Sequence, residues 1–351
     1  FSFCFSSHCN HFFLCWCNNS SQVSIYRESF SSEGSMLNVS QSESNMTTAS
    51  QNQDLLRIVL ISTLSTVPSF VFLYINGTIL FTLRSKPVFR DTCRYILLYN
   101  LLLADTVQLA QSQVQFLLSV CRVKLAYSLC TVLSMLANLT TGISPLTLVV
   151  MPLERYVAVC YPLRHSSIIT VRNTTVVIIA IWAVSSLNNL TRVLLFLKFS
   201  LEKIESWQIE DVCSRIALVL GAVTAEYDRA YICVVFVSAG VATTFSYVSV
   251  IIAARSASTD KALAHKARNT LLLHLVQLGL SLSSTIYNPL IIALSKILTT
   301  VAFLWVQNVF YVCFIIFPRC LSSLIYGLRD QTIRPVLLYY LCCRLKVKIS
   351  G

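Results

Sequence analysis

Charged residues are absent or rare in seven long stretches of the chain, which polar segments separate. The stretches are approximately 58–83, 95–121, 125–153, 173–191, 230–254, 269–295 and 297–328. A helix needs roughly 20 residues to cross the hydrocarbon core of a bilayer, and these stretches reach or exceed that length. Strands of a membrane barrel are only about 10 residues long and alternate in polarity. The pattern therefore predicts an all-α membrane protein with seven transmembrane helices.

The composition also indicates a membrane protein. Of the 351 residues, 55% are hydrophobic and 12% are charged, whereas soluble proteins contain about 25% charged residues. A soluble domain has too few interior positions to bury so much apolar surface.

The basic residues are unevenly distributed between the two sides of the predicted bundle. Segments on the C-terminal side carry 16 basic and 4 acidic residues, which account for the whole net charge of +12. Basic loops remain in the cytoplasm, so we expect a plasma-membrane protein with an extracellular N-terminus. The excess charge then indicates contact with anionic membrane lipids or an acidic partner surface, and not with nucleic acid.

The sequence divides into an N-terminal tail at 1–54, a helical bundle at 55–328 and a cytoplasmic tail at 329–351. The N-terminal tail is rich in Ser and Asn and has glycosylation sequons at Asn38 and Asn45. Because the chain begins with Phe, we expect residues 1–35 to be translated upstream sequence, with the natural start at Met36 or Met46.

The cytoplasmic tail alternates apolar and basic residues, which favours a short amphipathic helix on the membrane surface. Its Cys342 and Cys343 are candidates for palmitoylation. Of the 14 cysteines, Cys130 and Cys213 are the two well placed on the extracellular side. A disulfide between them would hold the 198–229 loop over the mouth of the bundle; the alternative is two unpaired thiols.

An acid and a base stand side by side at the cytoplasmic end of the third predicted span. Glu154 and Arg155 follow 29 residues without charge, Leu125 to Leu153. Such a pair contributes little stability because desolvation offsets the attraction, but it can be broken to free the arginine for a partner. The alternative is that the two side chains simply reach the membrane interface.

The wider segment "MPLERYVAVCYPLRH" resembles the "MAYDRYVAICxPLxY" signature of odorant receptors, a branch of the rhodopsin-like G-protein-coupled receptors. The Glu-Arg-Tyr form resembles the fish receptors most. Similar motifs are "YINGTILF", "NLLLAD", "KALAHKARNTLLLH" and "FPRCLSSLIYGLRD". Cys130 also lies 25 residues before Arg155, as the family's disulfide cysteine does. Ser323 replaces the proline of the family's Asn-Pro-x-x-Tyr motif.

This resemblance implies a function. The chain would bind a small-molecule odorant and activate a heterotrimeric G protein of the stimulatory olfactory type, in the cilia of olfactory sensory neurons. No cofactor and no enzymatic activity are expected. The residues implied in coupling are Glu154, Arg155, Tyr156, Tyr247 and Tyr326. The alternatives are a receptor for a peptide or a lipid, or a decayed receptor that does not signal.

Asp105 and Arg319 are the only acid and base deep within the predicted spans. Buried charges need partners, and we expect these two to pair. In the resembling family this layer surrounds a sodium ion, and Asn76, Ser144 and Ser322 occupy matching positions. The Arg319 guanidinium would then replace the sodium. The alternative is that Arg319 faces another cavity and Asp105 holds a cation.

The extracellular halves of the spans contain neutral amides. Amine-binding relatives carry an aspartate seven residues after the disulfide cysteine, where this chain has Ala137. A cationic ligand would lack a counter-charge, so apolar walls with a few amides predict a small, mostly uncharged ligand. The pocket candidates are Gln111, Asn138, Asn288, Gln307 and Asn308.

Overall fold

The computed structural model describes residues 42–120, 127–203, 225–256, 261–295, 297–330 and 332–341. Within these ranges the chain forms helices and short connections, and no β-strand. Its contacts divide the chain into two units, Phe1–Val59 and Leu60–Gly351. In the first unit, residues 42–59 are helical. The side-chain packing and the sites of the bundle lie within the second unit.

Each predicted span coincides with a long helix or with helical segments in series. The helices are α1 (Ser42–Ser85), α2 (Pro87–Arg90), α3 (Cys93–Val120), α4 (Tyr127–Cys160), α5 (His165–Ile168), α6 (Val171–Lys203), α7 (Ala225–Ser256), α8 (Lys261–Leu294), α9 (Thr300–Phe310), α10 (Phe317–Arg329) and α11 (Ile333–Leu341). Spans one to six are α1, α3, α4, α6, α7 and α8. The seventh span comprises α9, a π-helical segment and α10.

Five of the spans contain segments long and apolar enough to cross a membrane by their own composition. These are Thr63–Ser85, Leu129–Cys160, Val171–Leu195, Glu226–Ala253 and Trp305–Gly327. The sixth span has a shorter apolar segment, Leu275–Tyr287. The second and sixth spans are more polar because glutamine and serine side chains of these helices face the interior of the bundle, among them Gln108, Gln111, Ser281 and Ser284.

Several helices continue beyond the apolar stretch that predicted them. The third span ends at Cys160 rather than near 153, so the Glu154–Arg155 pair lies within the helix. The fourth ends at Lys203 and the fifth begins at Ala225. Residues 198–203 and 225–229 are therefore helical, and the predicted 198–229 loop is shorter. Charged side chains at helix ends can lie in water while the backbone remains helical, so hydropathy underestimates the helix length.

The third span is central and packs against the second, fourth, fifth and sixth spans. Its Leu148 and Met151 are buried with Leu97, Leu101 and Leu102 of the second span. By contrast, many large apolar side chains of the fourth and fifth spans face outward, including Val176, Ile179, Leu187, Val234, Val237 and Val241. This arrangement is that of a helical bundle in lipid, where the outer surface is as apolar as the interior.

The seventh span changes helical register near its middle. Residues Tyr311–Ile316 are π-helical, and Pro318 lies in the first turn of α10. A proline ring clashes with the carbonyl four residues earlier in an α-helix, and a π turn widens the backbone at that point. The family's proline position is Ser323 here, but Pro318 provides an irregularity one turn earlier, next to Arg319.

The predicted C-terminal helix is present as α11 and packs against the seventh and first spans. Its Ile333 and Leu337 are buried in the same cluster as Ile79. A Cβ atom at Gly327 would lie 2.7 Å from Leu337 Cδ2 and 3.1 Å from Ile79 Cδ1. Glycine therefore allows α10, α11 and α1 to approach closely.

We expect Gly327→Val to lower the stability of the solubilised protein by about 1–3 kcal/mol, the usual cost of overpacking. Combining it with Leu337→Ala should restore part of the loss, because the clashing methyl group is then absent. Thermal unfolding in detergent measures both effects. Gly279→Val is the matched control, since a Cβ at Gly279 has no atom within 4 Å. Equal losses at positions 327 and 279 would contradict the close approach.

Candidate functional site

Charged side chains of the second, third and seventh spans meet at one end of the bundle, which we call the basic end. Arg155 Nε lies 3.5 Å from Glu154 Oε2, and His165 Nε2 lies 3.7 Å from Glu154 Oε1. Glu154 is nearly buried, whereas Arg155 is partly exposed. Arg155 Nη2 is buried and has no hydrogen bond to another described residue. The Glu154 carboxylate thus restrains Arg155, and Nη2 of Arg155 remains a donor that no described residue accepts from.

Asp330 joins the second span to α11 at the basic end. Its Oδ2 lies 3.3 Å from Arg94 Nη2, and the Tyr95 hydroxyl donates to the carboxylate at 3.3 Å. The backbone N–H groups of Thr332 and Ile333 donate to Asp330 Oδ1 at 2.9 and 3.3 Å. A carboxylate at this position caps the helix N-terminus. Asp330 therefore fixes the start of α11 against the second span.

The tyrosines predicted to act with Arg155 occupy different environments. Tyr326 is buried, and its hydroxyl lies 3.7 Å from Met151 Sδ, one turn before Arg155 on the third span. Tyr156 instead faces the fifth span, with its ring centroid 5.3 Å from that of Phe245. Tyr247 is half-buried on the fifth span. The structure thus brings Tyr326 to the face of the third span that carries Arg155, while Tyr156 turns toward the fifth.

A layer of polar side chains crosses the interior of the bundle, and both predicted buried charges belong to it. Asp105 and Arg319 are 2% and 1% exposed. Ser144 Oγ donates to Asp105 Oδ1 at 2.7 Å. Arg319 donates to Gln108 Oε1 from Nη2 at 2.6 Å and from Nε at 3.2 Å. Gln108 in turn donates to Thr141 Oγ1 at 2.6 Å.

Asp105 and Arg319 were expected to form a direct ion pair, but among the described residues the two side chains do not contact each other. Their charges attract one another across the layer, but the hydrogen bonds of the guanidinium go to Gln108, one turn after Asp105 on the same helix. Asp105 Oδ2 and Arg319 Nη1 are buried and have no hydrogen-bond partner among the described residues. The Arg319 guanidinium therefore binds the amide oxygen of Gln108 and not the carboxylate of Asp105.

The remaining predicted members of the layer are buried too. Gln277 Nε2 donates to Ser322 Oγ at 2.5 Å, which joins the sixth and seventh spans. Asn76 is fully buried, and neither atom of its amide group has a partner among the residues that the structure describes. Earlier in the second span, Asn100 donates to Thr147 and accepts from Trp182, both at 2.9 Å.

The predicted pocket amides lie toward the end of the bundle opposite the basic end, and they differ in burial and in contacts. The Gln111 amide donates to the backbone carbonyl of Leu133, so it holds the second and third spans together. Asn138 and Asn308 are half-buried, and Asn288 lies on the sixth span. Gln307 lies within hydrogen-bonding reach of Tyr287.

Tyr311 belongs to the same region, one turn after Gln307. Its ring stacks on that of Phe116, with centroids 5.8 Å apart. Its hydroxyl is close to Ser112, yet it is buried without a hydrogen-bond partner among the described side chains. Tyr287, Gln307 and Tyr311 thus place polar groups beside aromatic rings between the second, sixth and seventh spans. We call these three residues the tyrosine cluster.

The modification sites are only partly described. Cys130 is buried and disulfide-bonded, whereas Cys213 lies outside the described residues. Asn38, Cys342 and Cys343 also lie outside them, and Asn45 lies in α1.

Sequence analysis missed three residues as parts of the site. These residues are Gln108, Gln277 and Asp330, for which no role was predicted. The helical spacing offered a signal for one of them, because Gln108 lies three residues after Asp105 and so shares its face. The contacts of Gln277 and Asp330 join helices far apart in sequence, which periodicity within one helix does not reveal.

Comparison with known proteins identifies the family. The model of the 7 transmembrane receptor (rhodopsin family) matches residues 75–342. The chain is 34% identical over 282 residues to Odorant receptor 131-2 of Danio rerio, which covers 79% of this chain and 84% of that protein. The matches confirm the predicted seven-helix fold and the resemblance to fish odorant receptors, and receptors of this family are not enzymes. The chain belongs to the rhodopsin family of seven-transmembrane receptors, on its odorant-receptor branch.

Proposed function

We propose that this receptor binds small, mostly uncharged odorants within the bundle and activates a heterotrimeric G protein at the basic end. The observation that carries the proposal is the restrained Arg155, whose side chain is held by a neighbouring carboxylate and keeps a buried donor unused. Such an arginine provides a group that a cytoplasmic partner can bind once the bundle opens.

The ligand-binding part of the proposal is supported by the tyrosine cluster. The buried hydroxyl of Tyr311 lies close to Ser112 but forms no hydrogen bond of normal geometry with a described residue, and a poorly paired buried hydroxyl is costly. An uncharged odorant with one acceptor oxygen would satisfy this hydroxyl while its apolar part lies against Phe116. Ala137 on the third span provides no carboxylate for a cationic amine. Asn138 and Asn308 are further candidate contacts.

Activation follows as a shift in population. An odorant that binds the open arrangement more tightly than the closed one moves the receptor toward the open state. A G protein that binds the freed Arg155 has the same effect from the other end, so each partner raises the affinity of the other. We propose a stimulatory olfactory G protein, and olfactory cilia as the location.

The membrane placement in this proposal is a cytoplasmic basic end, an extracellular N-terminus and a disulfide between Cys130 and Cys213. The positive charge of residues 84–94 and 155–172 supports this orientation. Asn38 and Asn45 are the proposed glycosylation sites, and Cys342 and Cys343 the proposed palmitoylation sites.

We further infer that the polar layer is neutralised by Arg319 and not by a sodium ion, the cation that the family implies. The guanidinium is permanently charged and buried in the same layer as Asp105. A sodium ion at Asp105 would lie near a like charge whose Nη1 has no hydrogen-bond partner in the described part of the bundle. The residues present therefore do not fit an additional cation.

The function is tested by a cAMP reporter screen with chemically diverse small odorants in cells that express the receptor. We expect dose-dependent signals from uncharged odorants. Responses only to peptides or lipids would contradict the odorant assignment, and the absence of any response from a receptor at the cell surface would indicate a non-signalling protein.

Tyr311→Phe removes only the buried hydroxyl and should raise the EC50 of an oxygen-containing odorant about tenfold, the effect of one hydrogen bond. Thermal stability should fall little, because the hydroxyl forms no hydrogen bond of normal geometry with a described side chain. Tyr74→Phe removes the same group from an exposed position on the first span and is the control. An unchanged EC50 in Tyr311→Phe would exclude this contact.

A further inference from the structure

A cavity lies at the basic end, and neither Arg155 nor any residue of the tyrosine cluster lines it. Its volume is about 440 Å³, and it lies between the first span, the following short connection and the second span. The lining residues are Leu83, Arg84, Phe89, Arg90, Tyr95, Ile96 and Tyr99. The proposed odorant and G-protein sites do not use this cavity.

Two arginines of the cavity have no neutralising partner among the residues that the structure describes. Arg84 and Arg90 are exposed and form no ion pair with any residue in the described ranges. The neighbouring Arg94 differs, because its charge is matched by Asp330 at 3.3 Å. Exposed Asp91 is the acid in this connection, and exposed Lys86 offsets its charge. The cavity therefore keeps a positive charge that no acidic side chain of the described ranges pairs with.

The rest of the lining is apolar or aromatic and firmly packed. Phe89 is 2% exposed and packs edge-on against Tyr95, with ring centroids 4.8 Å apart. Leu83 is also buried, at 3% exposure. The Tyr95 hydroxyl is already engaged by Asp330. The cavity thus combines fixed apolar walls with two free guanidinium groups.

The cavity also lies where the first apolar span ends. The segment Thr63–Ser85 is long and apolar enough to cross the membrane, and Arg84 is in its last turn. At this depth an occupant meets hydrocarbon on one side and the charged headgroup region on the other. Pockets of roughly 300–1,000 Å³ hold molecules of drug size, so about 440 Å³ accommodates a headgroup and not a whole lipid.

We propose that this cavity is a binding site for the headgroup of an anionic phospholipid from the surrounding leaflet. Arg84 and Arg90 bind the phosphate, and Leu83, Phe89 and Ile96 contact the glycerol and the first part of the acyl chains. Basic pockets at the ends of membrane helices suit such headgroups, and guanidinium groups bind phosphate through paired hydrogen bonds. The site rests on the membrane placement of the receptor and is independent of the odorant.

Native mass spectrometry of the purified full chain tests the site, with phosphatidylinositol 4,5-bisphosphate, phosphatidylserine or phosphatidylcholine added to the detergent. We expect bound anionic lipid and little bound phosphatidylcholine. The double variant Arg84→Gln with Arg90→Gln should weaken anionic-lipid binding by about tenfold or more. Both side chains are exposed, so thermal unfolding should remain unchanged and exclude misfolding as the cause.

The control variant Arg164→Gln with Arg172→Gln removes two exposed charges, one from the connection between the third and fourth spans and one from the first turn of the fourth span. It should leave lipid binding within about twofold of the wild type, since these residues do not line the cavity. An equal loss in both double variants would replace the site by diffuse attraction to the basic end. Competition by soluble inositol trisphosphate as strong as by the lipid would show a free-phosphate site and overturn the lipid assignment.

Discussion

Replacing Arg319 by methionine is expected to destabilise the receptor by about 3–5 kcal/mol, because Asp105 would then remain as an uncompensated buried charge. Both groups are almost completely buried and attract one another within the polar layer. Methionine keeps much of the side-chain length and removes the charge. The expected result is a large fall in the apparent Tm of the solubilised receptor and in its amount at the cell surface.

The double variant Asp105→Asn with Arg319→Met separates the loss of charge balance from the loss of packing. It should recover much of the stability, since no buried charge remains, and a double-mutant cycle gives the coupling directly. Additive losses would mean that the two charges are independent. Wild-type stability that rises with sodium, and loses this dependence in Asp105→Asn alone, would show instead that Asp105 holds a free cation.

The second large effect is expected from Glu154→Gln. The amide keeps the shape of the side chain but removes the charge that lies 3.5 Å from Arg155 Nε. A pair at a partly exposed position contributes about 1 kcal/mol, so its loss should raise the population of the active state about fivefold. The measurement is basal cAMP without odorant, normalised to receptor at the cell surface.

His165 provides the control for this prediction, because it contacts the same carboxylate at 3.7 Å. His165→Gln removes that contact and leaves the Glu154–Arg155 pair in place, so basal signalling should change much less. If both variants raised basal activity equally, or if Glu154→Gln left it unchanged, Glu154 would not be the restraint on Arg155.

Hydropathy was sufficient to predict the number and order of the spans, because a bilayer requires long apolar helices. It did not predict their full length, as the helical residues up to Cys160 and Lys203 illustrate. Hydropathy also did not reveal the π-helical segment at 311–316. That segment depends on how the backbone accommodates Pro318 within the packed bundle, and not on the polarity of the side chains.

The sequence predicted those residues of the candidate site that are rare in a membrane span, which are the charged ones. Asp105 and Arg319 stand out because charges are rare within membrane spans, and both lie in one polar layer. Their individual partners did not follow from the same reasoning. Arg319 binds Gln108 rather than Asp105, and only the relative rotation of the second and seventh spans determines which acceptor the guanidinium reaches.

An odorant in the bundle is expected to release Arg155 to act on a G protein, and guanine-nucleotide exchange with purified components tests this most directly. Receptor in nanodiscs is mixed with a stimulatory heterotrimer, with and without an odorant active in the reporter screen. The odorant should accelerate exchange on the wild type and on Arg164→Ala, but not on Arg155→Ala. Equal acceleration on Arg155→Ala would contradict the claim.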